Sequence, residues 1–235
     1  MQNLVDAFST AIKLLVTFDA DLMEIVTLSL EVSLSAVLLA ALVGLPFGAL
    51  IAISRFPGRS ALIVVLNAMM GLPPVVVGLG VYLVLSRSGP MGFLAWLFTP
   101  QAMVTAQFLL ITPLVAALSR QVIEDLWEEY RELLLSLDVG RWASVRTLLW
   151  DGRHTLLTTL LAGYGRAIAE VGAVIIVGGN IAHVTRVMTT AIALETSKGD
   201  LALALGLGIV LVLISLLING AAAVSSHASR RTQAL

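Results

Sequence analysis

The sequence predicts an all-α, polytopic membrane helical bundle, and three observations carry that prediction. Of the 235 residues 58% are hydrophobic and only 12% charged, with a mean hydropathy of +0.98. Soluble domains run at about 45–50% apolar, with about a quarter of their residues charged. A water-soluble fold of this length could not hide so much apolar surface. Second, residues 32–54 and 60–86 contain no Asp, Glu, Lys or Arg, and a hydrocarbon core about 30 Å thick is crossed by roughly 20 apolar residues in a helix. Third, the basic residues divide unevenly between alternate loops, as they do in chains that thread a membrane.

The chain lays out as one transmembrane domain over 1–235, with five spanning helices expected at 24–54, 60–86, 103–122, 154–181 and 201–226. The third charge-free run, 88–119, is broken by Gly89-Pro90 and Pro100, so it reads as a surface loop with interfacial aromatics Phe93, Trp96 and Phe98, followed by a helix from about Met103. The fourth span is long enough to cross but carries Arg166 and Glu170. Leu72-Pro73-Pro74 should kink the second.

If the first span runs from outside to inside, Arg55, Arg59, Arg120, Arg131, Arg141, Arg146, Arg153, Arg230 and Arg231 are cytoplasmic. Lys13, Arg87, Arg186 and Lys198 are then external, nine basic residues against four. The N-terminus is therefore expected outside and the C-terminus inside. Leu4, Phe8, Ile12 and Leu15 recur at helical spacing with polar residues between them. This predicts an amphipathic interfacial helix over 1–20, a sixth spanning helix being its rival. No signal peptide is visible, because Asp6, Lys13, Asp19 and Asp21 interrupt the first residues.

Residues 123–153 form the long polar segment, on the cytoplasmic side. Acids at 124, 125, 128, 129 and 132 give way to Leu133, Leu134, Leu135 and Leu137, then Val139-Gly140 as a turn, then a short helix with Trp142, Val145, Leu148 and Leu149. A helix–turn–helix with an apolar face and basic edges suits a groove on another protein. A plain solvated connector is the alternative.

Much chemistry is missing. The lysines are at 13 and 198 only, and neither sits in Gly-x-x-x-x-Gly-Lys-[Ser/Thr], the loop whose lysine reaches the β/γ-phosphates of ATP. There are no cysteines; His154, His183 and His227 lack metal-ligand spacing; and no nucleophile–base pair is apparent. No catalytic residue, metal site or cofactor is expected on this chain, and no nucleic-acid partner.

The polar segment resembles the docking loop of ATP-binding-cassette (ABC) importer permeases, with Glu132-Leu133-Leu134 in the place of that loop's Glu-Ala-Ala. Asp138 stands where the pattern has Gly and Asp151 where it has Pro, so Gly140 can serve the turn instead. Gly165-Arg166-Ala167-Ile168-Ala169-Glu170-Val171-Gly172-Ala173, then Gly178-Gly179-Asn180-Ile181 and Met188-Thr189-Thr190-Ala191-Ile192, are similar to the tungstate branch of oxyanion permeases. The resemblance covers the whole chain. It implies a prokaryotic cytoplasmic (inner) membrane location and the permease role in an ATP-driven importer for an oxyanion, tungstate first and molybdate or another oxyanion as the alternative. It implies a substrate-binding protein outside, and a coupling helix docked on a cytoplasmic ATPase dimer that carries ATP-Mg. Two ATPase clefts and one docking loop per chain imply a homodimer.

On that reading Glu132, Leu135, Leu137, Val139, Gly140, Arg141, Trp142 and Arg146 are the docking residues. Arg166 and Glu170, four apart, are either an intramembrane ion pair or a polar element of the translocation path. Gly178, Gly179 and Asn180 either end the fourth span in left-handed conformation or form a gate hinge. Thr185, Arg186, Thr189 and Thr190 offer donors to an anion with acceptor-only oxygens, as an outer vestibule. A secondary transporter with Arg166 and Glu170 as a proton relay is the competing function, but it gives the docking segment nothing to do.

Overall fold

The computed structural model describes residues 9, 12 and 20–233, with the backbone alone at 202, 219 and 221–233. The expected interfacial helix over 1–20 therefore lies almost wholly outside the described residues. Among these residues there is no strand. The elements run α1 (Ala20–Ile53), α2 (Arg59–Met70), α3 (Pro74–Leu85), a 3-10 turn (Gly92–Leu94), α4 (Pro100–Ser136), α5 (Arg141–Asp151), α6 (Arg153–Ile168), α7 (Gly172–Gly178), α8 (Met188–Lys198) and α9 (Leu201–Gln233). Two of them, α1 and α4, are long and apolar enough to cross a membrane, and up to four spans result if each bent pair, α2 with α3 and α6 with α7, counts as one. In α9 the apolar stretch is Leu203–Ile218.

Three expected boundaries change. The helix expected over 60–86 is two helices. Proline disfavours helical backbone at the residue before it and suits the first position of a new helix; α2 ends at Met70 and α3 begins on Pro74. The span expected to end at 122 instead runs unbroken to Ser136, so the acidic first part of the polar segment belongs to the same helix. Nothing between 120 and 136 breaks a helix, and Glu124 is held to Arg120 one turn earlier. The helix expected over 154–181 breaks after Ile168 and resumes at Gly172.

The chain divides into two compact units, one comprising the described residues of Met1–Ser35, Pro73–Gln107 and Gly165–Gly220, the other those of Ala36–Leu72, Phe108–Tyr164 and Ala221–Leu235. In the second unit α1 carries Gly44-x-x-x-Gly48 against α4. A Cβ at Gly48 would lie 2.3 Å from the Ala116 carbonyl oxygen, and one at Gly44 3.0 Å from Val115 Cγ1. Small residues let membrane helices approach at backbone distance, where dispersion and backbone contacts replace the hydrophobic effect. Ser119 Oγ donates to the Leu45 carbonyl at 3.1 Å across the same contact. Arg59 caps the end of α1, its Nε donating to the Ile51 carbonyl at 2.9 Å, and it also pairs with Glu124 at 2.6 Å. Ala49, Ile123, Leu134, Val145, Leu148 and Leu156 form a buried core of this unit.

In the first unit α3 packs on α7, with Gly78 against Ala173; a Cβ on that glycine would sit 2.7 Å from the Ala173 Cα. Leu22, Val26, Met188, Ala191, Leu207 and Val210 form the core that joins α1, α8 and α9.

Candidate docking and translocation sites

In the second unit, α4 ends and the chain turns before α5. Val139 N–H reaches back to the Leu134 carbonyl at 3.0 Å, and Asp138 takes a left-handed φ of 51°. The position that holds Gly in the related loop pattern is thus left-handed here with Asp, which tolerates that region better than most residues. Gly140 has an extended backbone, φ −61° and ψ 154°, so it is the residue before α5 and not the left-handed one.

Of the expected docking residues, Glu132, Leu135, Leu137, Gly140, Arg141, Trp142 and Arg146 are exposed at this corner. Trp142 is 69% exposed, Leu137 64% and Leu135 58%. Val139 is different. It packs against the core of Leu134, Val145 and Leu148 and fixes the turn from inside. Trp142, Arg146 and Trp150 border an open concavity of about 1100 Å³ that reaches Pro46, and the Arg153 guanidinium stacks over the Trp150 ring at 4.8 Å. Large exposed apolar side chains beside arginines are the residue types from which interface anchors and rims are built.

In the first unit, the expected Arg166–Glu170 ion pair is absent among the described residues, because the two no longer share a helix face. The break at 169–171 separates them: Glu170 Oε1 accepts the Ala173 N–H at 3.1 Å, and the Thr189 hydroxyl donates to the Glu170 carbonyl at 2.9 Å. Arg166 is half-buried, and its Nε has no hydrogen-bond partner. Gly179 and Asn180 have φ of 73° and 51° and terminate α7, the geometry expected of a left-handed helix end. Gly178 lies against Met103, where a Cβ would come within 3.0 Å of its sulfur.

The expected vestibule hydroxyls are already engaged. Thr185 Oγ1 donates to the Gly178 carbonyl at 2.6 Å and Thr190 Oγ1 to the Val187 carbonyl at 3.0 Å, and Thr185, Thr189 and Thr190 are all buried. Threonine hydroxyls readily donate to backbone carbonyls in this way. Arg186, the fourth of the expected vestibule residues, has a buried Nε without a hydrogen-bond partner.

Sequence reasoning missed two clusters. His183, with a left-handed φ of 61°, brings Nδ1 within 2.8 Å of Glu24 Oε2 on α1. Hydrogen bonding to Glu24, then the Glu24 and Asp21 charges, raise its pKa above the ordinary 6.5, against small opposing effects of burial and Arg186. Asp21, Glu24 and His183 together bring one potential ligand atom each within 4.8 Å of the others, all at exposed positions. The partners are 159 residues apart, so no local spacing could reveal them. The second cluster is a buried polar pocket of Ser29, Ser33, Gln107, Glu170 and Thr189. Its serines and glutamine look unremarkable within apolar runs.

The family described as the binding-protein-dependent transport system inner membrane component matches residues 44–231. The tungstate uptake system permease protein TupB of Peptoclostridium acidaminophilum is 40% identical over 219 residues, 93% of this chain and 96% of that protein. A probable anion ABC transporter permease protein of Haloferax volcanii is 40% identical over 185 residues, 77% and 80% of the two chains. The tungstate uptake system permease protein TupB of Campylobacter jejuni is 35% identical over 214 residues, 91% and 90%.

Proposed function

The chain belongs to the family of binding-protein-dependent transport system inner membrane components, and from that premise we infer that it is the permease subunit of an ATP-driven importer that carries tungstate across the cytoplasmic membrane. One observation carries the anion: likeness along nearly the whole chain to two tungstate uptake permeases. Membership implies work with a substrate-binding protein and an ATPase. The ATPase is a separate chain holding ATP-Mg, in keeping with the absence of a phosphate-binding Gly-Lys-[Ser/Thr] loop here. The active unit is a homodimer, its N-terminus outside and its C-terminus inside.

Within this reading the α4–α5 corner is the ATPase-docking surface. Leu135, Leu137 and Trp142 enter an apolar cleft, while Glu132, Arg141 and Arg146 meet its rim and Val139 with Gly140 shapes the turn. Arg166 and Arg186 supply positive potential to a passing dianion, which offers acceptor oxygens only. Gly178, Gly179 and Asn180 end the short helix beside that route. The test is uptake of radiolabelled tungstate and molybdate by cells that express this permease with its ATPase and binding protein. Tungstate uptake that disappears when the permease gene is deleted supports the assignment; uptake of molybdate alone would reassign the anion.

A further inference from the structure

A helix broken inside an apolar segment exposes backbone groups that lipid cannot satisfy, and such breaks persist only where protein groups or water take their place. The break between α6 and α7 is held by three contacts. Gln107 Nε2 donates to the Ala167 carbonyl at 3.0 Å, the Thr189 hydroxyl to the Glu170 carbonyl, and the Ala173 N–H to Glu170 Oε1. Gln107 comes from α4 and is only 4% exposed, yet its Oε1 has no hydrogen-bond partner. A buried acceptor without a donor forfeits the hydrogen bonds it made to water. Gln107 also lines a cavity of about 10 Å³ together with Ser29, Ser33, Glu170 and Thr189, close to the least room that one water needs on that measure.

The groups around this cavity are a water's groups, not an anion's. Ser29 is already engaged, donating to the Ile25 carbonyl at 2.6 Å and accepting the Met188 N–H at 2.9 Å. What remains is the Gln107 amide oxygen and the Glu170 carboxylate as acceptors, with the Ser33 hydroxyl as donor. An oxyanion would face a carboxylate and an acceptor oxygen. A water can donate to both and accept from Ser33, which meets its need for two to four polar partners. We propose that this cavity seats one water molecule that locks the α6–α7 break in its bent form, making Gln107 a positioning residue for transport. The lock matters to transport because the break lies between Arg166 and the Gly178-Gly179-Asn180 helix end. Only that link to transport rests on the permease reading.

The experiment uses the assembled permease–ATPase complex in lipid nanodiscs and two variants. Gln107→Met removes the acceptor and the contact to Ala167 at similar volume. Ser33→Val fills the cavity and leaves both Gln107 and Ala167 in place. Hydrogen exchange of the amides of residues 169–173 should quicken by about tenfold in each variant, the effect of one lost buried hydrogen bond. Tungstate uptake per assembled copy should fall in parallel. Exchange in Ser33→Val that matches the wild type would overturn the proposal, even if Gln107→Met is faster, since Gln107 would then act through Ala167 alone. Should either variant fail to assemble, the wild-type density decides: a map that resolves waters and has none within hydrogen-bond distance of Gln107 Oε1 also overturns it. A wild-type complex that does not carry tungstate would count against the permease assignment and leave the exchange result standing.

Discussion

Glu170 accepts the backbone N–H of Ala173 at 3.1 Å, and so a carboxylate placed one turn after an arginine closes the start of the next helix instead of pairing with that arginine. The i,i+4 spacing of Arg166 and Glu170 means a shared face only while the helix continues. Here it stops at Ile168.

Glutamine retains the accepting oxygen, so Glu170→Gln should keep the permease close to wild-type stability. Glu170→Ala should lose about 1 kcal/mol, the usual effect of removing a side chain that caps a helix start. Arg166→Gln combined with Glu170→Gln should give the sum of the single effects. Thermal unfolding of the purified complex in detergent measures all four proteins, and mutual rescue in the double variant would restore the ion pair.

Val139 and Trp142, three residues apart, separate stability from the proposed docking. Trp142→Ala removes a side chain 69% exposed, so it should leave the melting temperature unchanged while weakening ATPase retention by about 2 kcal/mol or more, as loss of an interface anchor does. Val139→Ala should lower stability, because Val139 packs on the Leu134–Leu148 core. Gly140→Asp is sterically free, with nothing within 4 Å of a new Cβ, so any loss of ATPase on co-purification reports the interface. Full ATPase retention by both Trp142→Ala and Gly140→Asp would remove this corner as the docking surface.

Of the two α1 glycines, Gly48 leaves the less room for a side chain. A single methyl group would meet the Ala116 carbonyl at 2.3 Å, and overpacking of a tight core costs typically about 1–3 kcal/mol. Gly48→Ala should therefore reduce the folded yield and melting temperature, whereas Gly80→Ala, in open space, should not. Equal melting temperatures would contradict the close α1–α4 approach.

The contact of His183 with Glu24 should titrate. With its pKa raised above 6.5, the histidine contributes its attachment fully below about pH 6.5, and that contribution is lost as pH rises through the raised value. In 13C-histidine-labelled protein, the His183 imidazole should titrate above 6.5 in the wild type and closer to 6.5 in Glu24→Gln. Identical midpoints in the two proteins would mean that the carboxylate does not act on the ring.

Orientation is open to a direct measurement. Cysteines placed at Ser88 and Ser197 should react with an impermeant thiol reagent in intact cells, and one at Ser229 should not. Labelling at 229 would reverse the topology.

Composition and charge determined the solvent and the fold class. Runs such as 32–54 have no partner for a charge and no polar face, so the chain must present them to lipid as helices. Sequence also located the exposed turn between α4 and α5, since an apolar–basic turn is a local pattern that lies within about 20 residues. It placed a left-handed helix end within Gly178-Gly179-Asn180, because residue type alone limits which φ a position tolerates, and the last two residues have that conformation. Tertiary structure decided the rest. Whether Arg166 meets Glu170, whether Thr185, Thr189 and Thr190 face an anion or a backbone carbonyl, and whether Val139 points outward depended on which groups other segments brought near. Gln107 on α4 meets the Ala167 carbonyl 60 residues later, and His183 meets Glu24 159 residues earlier. A polar side chain in an apolar run reveals that it needs a partner. Which group satisfies it depends on how the helices pack, and local spacing does not carry that information.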